Sequence, residues 1–194
     1  MNASKSPEFD LERPIASTAV VLRAIFLGPR TFYRTFDARG PTRQPTVFVV
    51  LVSTVTGVLS LVINFILTVA FGAKVSLPVV AVLNLAYIAL SPVLVGMGAG
   101  AYLLSSRMFI GKAPKLREVY RIFAYAYGVM ILFWVPLLNA LAFVYAAMIL
   151  MMLGIQSVYR TSFLTALITS LVGFVPTSLI FIYLLGAANG FAYG

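Results

Sequence analysis

The residue types that carry most protein chemistry are scarce in this chain. It has no His and no Cys, and its five acidic residues all lie outside the long apolar segments. A Ser nucleophile therefore has no His to act as its general base. Neither an imidazole-ligated haem nor a Cys-ligated iron–sulfur cluster could take its ligands from this chain. The sequence predicts no enzyme activity, no cofactor and no metal site.

Amide side chains are the larger polar groups in or near the apolar segments, at Asn64, Asn84, Asn139 and Gln156. Two interpretations are open for them. In one, they line a pore or a substrate path. In the other, they form interhelical hydrogen bonds, worth about 0.6 kcal/mol each, or lie at an interface. The long apolar runs contain no ionisable residue, which argues against proton-coupled transport.

These groups must be positioned by membrane helices. Apolar residues make up 61% of the chain and the mean hydropathy is +1.02, well above the roughly 45–50% apolar content of soluble domains. The uncharged stretch 122–159 would be about 57 Å long as one helix, nearly twice the hydrocarbon thickness, so it must turn back near Trp134 to Asn139. We expect an all-α integral membrane bundle of five transmembrane helices over residues 46–194. The predicted spans are about 46–72, 75–106, 119–135, 137–158 and 161–188.

The basic residues predict the orientation of this bundle. The net charge is +9, and in a five-span arrangement Lys74 is the one basic residue of 14 that falls outside the cytoplasmic side. By the positive-inside rule, the N-terminus is cytoplasmic and the C-terminus extracytoplasmic. Basic residues that flank apolar runs meet lipid headgroups, so we expect no nucleic-acid partner. In the central loop, Lys112, Lys115 and Arg117 are the expected lipid contacts.

The first 45 residues divide into a polar cytoplasmic tail, 1–13, and an amphipathic interfacial region, 14–45. The stretch GPRTFYRTF predicts a short interfacial helix with an aromatic face and a basic face. The residues concerned are Phe32, Tyr33 and Phe36 on one side and Arg30 and Arg34 on the other. The rings either enter the acyl boundary of the lipid or pack on the protein's own bundle, because both arrangements bury the same stripe.

Glu118 and Arg121 lie one helical turn apart where the third span begins. They form either a polar knot that binds a partner or a simple N-terminal arrangement, in which the Glu118 charge favours the helix start by about 0.3–1 kcal/mol.

Two runs of small residues, Gly96, Gly98 and Gly100 in the second span and Gly186, Gly190 and Gly194 at the C-terminus, contain glycines four residues apart, notably the pairs Gly96 and Gly100, and Gly186 and Gly190. This spacing places a smooth stripe on one helix face and allows close helix packing, within the bundle or with another chain. The C-terminal pair is the better candidate for an external contact.

Three stretches resemble the Yip-domain (Ypt-interacting-protein) family of polytopic membrane proteins. They are FLGPRTFYRTF, GKAPKLREVYRIFAYAYGVMILFWVP and LGIQSVYRTSFLTAL, in the order of that family and over about residues 25–176. Glu118, Tyr120 and Arg121 match the family's acidic and Tyr-Arg motif, and Gly154 and Ile155 match its Gly-containing motif.

The resemblance implies a five-span bundle with a cytoplasmic N-terminal region. Eukaryotic relatives are associated with Rab-type GTPases and vesicle traffic, whereas the short tail here is more similar to bacterial forms, so we expect the chain in a bacterial cytoplasmic membrane. We expect a non-catalytic scaffold or accessory subunit that associates with other integral membrane proteins or organises lipid. The alternatives are a passive transporter or channel and a trafficking adaptor.

Overall fold

The computed structural model describes residues 8–110, 114–135 and 137–193, with side chains as far as residue 184. Two short helices lead into five longer helical segments. The helices are α1 (Pro14–Leu27), α2 (Pro29–Thr35), α3 (Arg43–Phe71), α4 (Leu77–Phe109), α5 (Leu116–Ala126), α6 (Leu138–Tyr159) and α7 (Phe163–Tyr193). A 3-10 segment, Tyr127–Leu132, continues α5, and α6 contains a π-helical stretch, Tyr145–Leu150.

Among the described residues, α3, α4, α6 and α7 are long and apolar enough to cross a membrane. A fifth candidate arises if α1 and α2, which meet at a bend of 117°, are counted as one broken span. The expectation of an all-α, multi-pass membrane bundle with a helical N-terminal region is confirmed.

The predicted third span corresponds to α5 and its 3-10 continuation. The 11 residues of α5 and the 6 residues of the 3-10 segment are fewer than the other long helices have. Because a 3-10 helix rises about 2.0 Å per residue against 1.5 Å in an α-helix, the two together still reach about 28 Å. Every residue from 121 to 130 is buried, so this segment forms the centre of the bundle.

Proline lies inside α4 at Pro92 without ending the helix. A proline at this position removes the backbone donor for the carbonyl four residues earlier, which is that of Ile88. The Ser91 hydroxyl donates to the Ile88 carbonyl at 2.9 Å and replaces the missing partner. Such replacement is needed in a bilayer, where water cannot satisfy a free backbone group.

The core is concentrated at one end of the bundle. The buried residues of α3 all lie between Pro45 and Gly57, and those of α4 lie mainly between Ser91 and Ser106. The remaining halves of α3 and α4, which are joined through Gly72 with its φ of 66°, expose about half of their large apolar side chains.

Candidate functional site

Arg121 is the centre of a polar cluster at the densely packed end of the bundle. Its side chain is 0% exposed. Nε donates to the Asp37 carbonyl at 3.0 Å, one Nη donates to the Pro41 carbonyl, and the other pairs with a Glu8 carboxylate oxygen at 2.9 Å. A buried guanidinium requires such a set of acceptors, since an unpaired charge in the interior is very costly.

Glu8 completes this cluster from the N-terminal segment. Its second carboxylate oxygen accepts a hydrogen bond from the Asp37 backbone N–H at 2.9 Å. The neighbouring Phe9 is 1% exposed, and its ring packs against Phe48 with centroids 5.9 Å apart. The prediction that residues 1–13 form a solvated tail is therefore wrong for Glu8 and Phe9. A carboxylate matched to Arg121 and a buried ring hold this part of the segment on the bundle.

Aromatic rings of Phe32, Phe36 and Tyr125 pack on the other side of the Arg121 cluster. The guanidinium carbon lies 5.3 Å from the centre of the Phe36 ring, a cation–π distance. Phe32 and Phe36 both meet Tyr125 edge to face. Gly40 leaves room for the cluster, because a Cβ there would lie 2.8–2.9 Å from guanidinium atoms.

The aromatic face of α2 packs on the bundle and not in lipid. Phe32, Tyr33 and Phe36 are at most 9% exposed, whereas Arg30 and Arg34 are exposed. The sequence left open whether these rings enter the lipid or pack on the bundle. In the structure they pack on the bundle, because α5 and α6 offer them a closely packed surface. The Tyr33 hydroxyl donates to the Ile122 carbonyl at 3.3 Å. Burial, with a smaller contribution from Tyr145, raises the pKa of the Tyr33 phenol, so it remains a neutral donor.

Glu118 acts at the start of α5 and does not pair with Arg121. Its carboxylate accepts from the Lys115 backbone N–H at 3.3 Å and from the Tyr159 hydroxyl at 3.2 Å. The first contact is half of a capping box and the second joins α5 to the end of α6. This geometry corresponds to the simpler of the two interpretations of Glu118.

The remaining motif residues hold helices together. The Tyr120 and Thr46 hydroxyls are 2.9 Å apart and join α5 to α3. Gly154 lies against Ile122 and Tyr33, where an added Cβ would be 3.3 Å from the Tyr33 ring, and Ile155 is 0% exposed. The motif residues therefore surround one junction of α2, α3, α5 and α6.

The sequence profile of the Yip1 domain matches residues 23–186, which is most of the chain. The chain belongs to the Yip1-domain family. No curated protein and no solved structure matches it. In this Yip1 domain, the Tyr-Arg motif supplies the buried guanidinium, and the Gly-containing motif provides the surface on which α2 rests.

A basic groove opens beside the Arg121 cluster of the Yip1 domain, with a volume of about 580 Å³. Residues from α2, from the segment after it, from the start of α5 and from the end of α6 line it. The charged lining residues are Arg34, Arg39, Lys115, Arg117 and Arg160, with Asp37 and Glu118. The sequence singled out Arg34, Lys115 and Arg117 but not Arg39 or Arg160, since chain-distant residues that share a groove have no common local signal.

In the described part of the Yip1 domain, close helix packing uses Gly98 and Gly173 and not the predicted pair Gly96 and Gly100. Among the described residues, a Cβ on Gly96 or Gly100 would meet nothing within 4 Å, so these two do not form the expected packing face inside the bundle; their contact with another chain stays a prediction. Gly98, on another face of α4, lies directly against the Phe123 ring, and Gly173 of α7 lies against Tyr102. The reason is the rotation of α4, which turns Gly98 toward α5. The predicted roles of Lys112, Gly186 and Gly190 lie outside the residues whose side-chain surroundings are described.

Two of the four amide residues, Asn64 and Asn139, form hydrogen bonds with nearby backbone groups. Asn64 donates to the Ser60 carbonyl at 2.8 Å within α3, and the Asn139 side-chain oxygen accepts from the Ala140 N–H at 2.6 Å. Each of these two bonds lies within a single helix, so neither is one of the interhelical bonds that formed part of the expectation.

Proposed function

We propose that this Yip1-domain protein is a non-catalytic membrane scaffold or accessory subunit that works by lateral association with other integral membrane proteins. Its N-terminus lies in the cytoplasm and its C-terminus outside. The observation that carries the proposal is the closed interior of the bundle together with the exposed outer half of α3 and α4.

The interior is filled by aromatic side chains. Phe123 packs against Gly98 and lies 5.4 Å, centroid to centroid, from the Tyr102 ring. The Tyr102 hydroxyl donates to the Ala147 carbonyl. This layer joins α4, α5 and α6 across the middle of the bundle. A filled middle favours a structural role, because a transporter needs a path that substrate can enter from both sides.

The cleft beyond this layer is small and apolar. Its volume is about 70 Å³, and its lining includes Leu94, Met130, Phe143 and Ile180. The Tyr127 hydroxyl, which also borders the cleft, is bonded to Tyr87 and lies 3.0 Å from the Ser53 hydroxyl. The hydroxyls of Tyr127, Tyr87 and Ser53 thus satisfy one another, which is the behaviour expected of a structural network.

The outer half of the α3–α4 hairpin presents apolar side chains to its surroundings. These are Val58, Val62, Phe65, Ile66, Val69, Val82 and Leu85, each at least 43% exposed. In lipid, helices associate through close packing and not through a hydrophobic drive. A hairpin that is only partly packed on its own bundle offers the surface that such association needs.

Passive transport of a small solute is the alternative class, and a trafficking adaptor is the second alternative. The test is to purify the protein in mild detergent, to identify the chains that accompany it, and to reconstitute the protein alone in vesicles. We expect stoichiometric membrane-protein partners and no flux of small polar solutes above protein-free vesicles. Flux by the protein alone, with no partner, would replace the scaffold proposal by the transport alternative.

A further inference from the structure

The basic groove has a charge pattern that the packing of the bundle does not require. Arg34, Lys115, Arg117 and Arg160 are exposed and line one concave surface, although they come from three separate helix ends. Its volume of about 580 Å³ lies within the usual range of about 300–1,000 Å³ for ligand sites. Among the residues that the structure describes, five basic side chains line it against two carboxylates.

The two carboxylates are already engaged at backbone groups. Glu118 accepts from the Lys115 N–H at 3.3 Å, and Asp37 accepts from the Arg39 N–H at 3.0 Å. They offset part of the positive charge and leave the groove with an excess of cations. Guanidinium groups that converge from different elements suit a phosphate, because each can donate two parallel hydrogen bonds.

Arg160 supplies a second, independent observation. It ends α6 with φ of 52° and ψ of 45°, in the left-handed region that glycine or asparagine normally occupies. A side chain at such a position costs free energy, and residues of this kind cluster at functional sites. Positive-inside orientation requires charge near the membrane but does not require it at a strained position inside a groove.

We propose that the groove binds a phosphate-bearing anion, with Arg34, Arg117 and Arg160 as its principal donors. The phosphate group is supplied either by the headgroup of an anionic lipid or by a soluble phosphate compound. This site is independent of the lateral-association proposal, since a phosphate can bind here whether or not the bundle has a protein partner.

The experiment measures binding to the purified protein in a neutral detergent. The probes are dihexanoyl phosphatidic acid, inorganic phosphate and, as a zwitterionic control, dihexanoyl phosphatidylcholine. The variants are Arg34→Gln, Arg160→Gly and the control Arg30→Gln, which removes an exposed arginine from the same short helix as Arg34 but outside the groove lining. Arg160→Gly also relieves the left-handed backbone, so its thermal stability should be no lower than that of the parent.

We expect saturable binding of phosphatidic acid that weakens about five-fold for each groove arginine removed and changes little in Arg30→Gln. If phosphatidic acid binds and inorganic phosphate does not, the ligand is a lipid. If inorganic phosphate binds and phosphatidic acid does not, the ligand is a soluble phosphate compound. The proposal is overturned if neither phosphate probe binds, if phosphatidylcholine binds equally well, or if Arg30→Gln weakens binding as much as Arg34→Gln and Arg160→Gly do.

Discussion

A carboxylate oxygen of Glu8 lies 2.9 Å from a guanidinium nitrogen of Arg121, although the two residues are 113 positions apart in the chain. The pair fastens the segment before α1 to the start of the central helix. It also explains how a fully buried arginine is tolerated next to aromatic rings, because its remaining donors reach the carbonyls of Asp37 and Pro41.

The first prediction concerns the two partners of this pair. Arg121→Gln should lower the free energy of unfolding by about 3–5 kcal/mol, since it breaks the ion pair and also leaves the Asp37 and Pro41 carbonyls without their donor. Glu8→Gln should cost less, about 1.5–3 kcal/mol, because Arg121 keeps its two carbonyl acceptors. Denaturant unfolding in detergent micelles measures both. The exposed Arg117→Gln is the control, expected within about 0.5 kcal/mol of the parent; equal effects of all three would contradict the ion-pair account.

The second prediction tests the space that Gly40 leaves for the guanidinium. Gly40→Ala should destabilise the protein by about 1–3 kcal/mol, because its Cβ would lie within 2.9 Å of Arg121 atoms. The effect should shrink in an Arg121→Gln background, where the shorter side chain removes the clash. Gly28→Ala is the matched control, since its Cβ would have ordinary contacts at 3.8 and 3.9 Å. A Gly40→Ala protein as stable as the parent would show that the cluster is loosely packed.

The third prediction separates the glycines of α4. Gly98→Ala should destabilise the protein by about 1–3 kcal/mol, because the added methyl group meets the Phe123 ring. Gly96→Ala, with open space around its Cβ, should be neutral or stabilise the helix by about 0.5–1 kcal/mol. Thermal unfolding of the two variants side by side distinguishes them. The reverse order would mean that α4 is rotated relative to its neighbours.

The fourth prediction concerns orientation, and it uses the absence of native Cys in the chain. A membrane-impermeant maleimide added to intact cells should label Lys74→Cys, because Lys74 lies in the extracytoplasmic loop of the proposed topology. Lys115→Cys should be labelled only after the membrane is permeabilised. A reporter fused after Gly194 should be extracytoplasmic. Labelling of Lys115→Cys in intact cells, or a cytoplasmic reporter, would exclude the proposed five-span orientation.

Composition and charge predict the class of this fold because long uncharged apolar runs have few alternatives to membrane helices. The length of the uncharged stretch is enough to predict the helix from Leu138 to Tyr159 and the turn before it. The sequence does not predict the central position of α5, since burial depends on which neighbours surround a helix. A run of apolar residues has the same sequence pattern whether it faces lipid or protein.

The candidate site was only partly accessible from sequence for a similar reason. Arg121 belongs to a recognisable motif. Its partner Glu8 lies among other charged residues in a short polar stretch, and no local sequence pattern distinguishes it from them. The run Gly96, Gly98 and Gly100 indicated close packing by α4, but the spacing favoured the face of Gly96 and Gly100, whereas the contact within the bundle is made at Gly98. Helix rotation, which spacing does not encode, decides which face turns inward.

The most direct test of lateral association is site-specific photo-crosslinking in the native membrane. A photoreactive residue is placed, one position at a time, at Phe65 of α3, Leu85 of α4 and Ile182 of α7, which are 55%, 67% and 64% exposed. The fully buried Val52 serves as the control. We predict that at least one exposed position forms a discrete adduct with another integral membrane protein and that Val52 does not. Adducts with lipid alone at all three exposed positions would contradict the account.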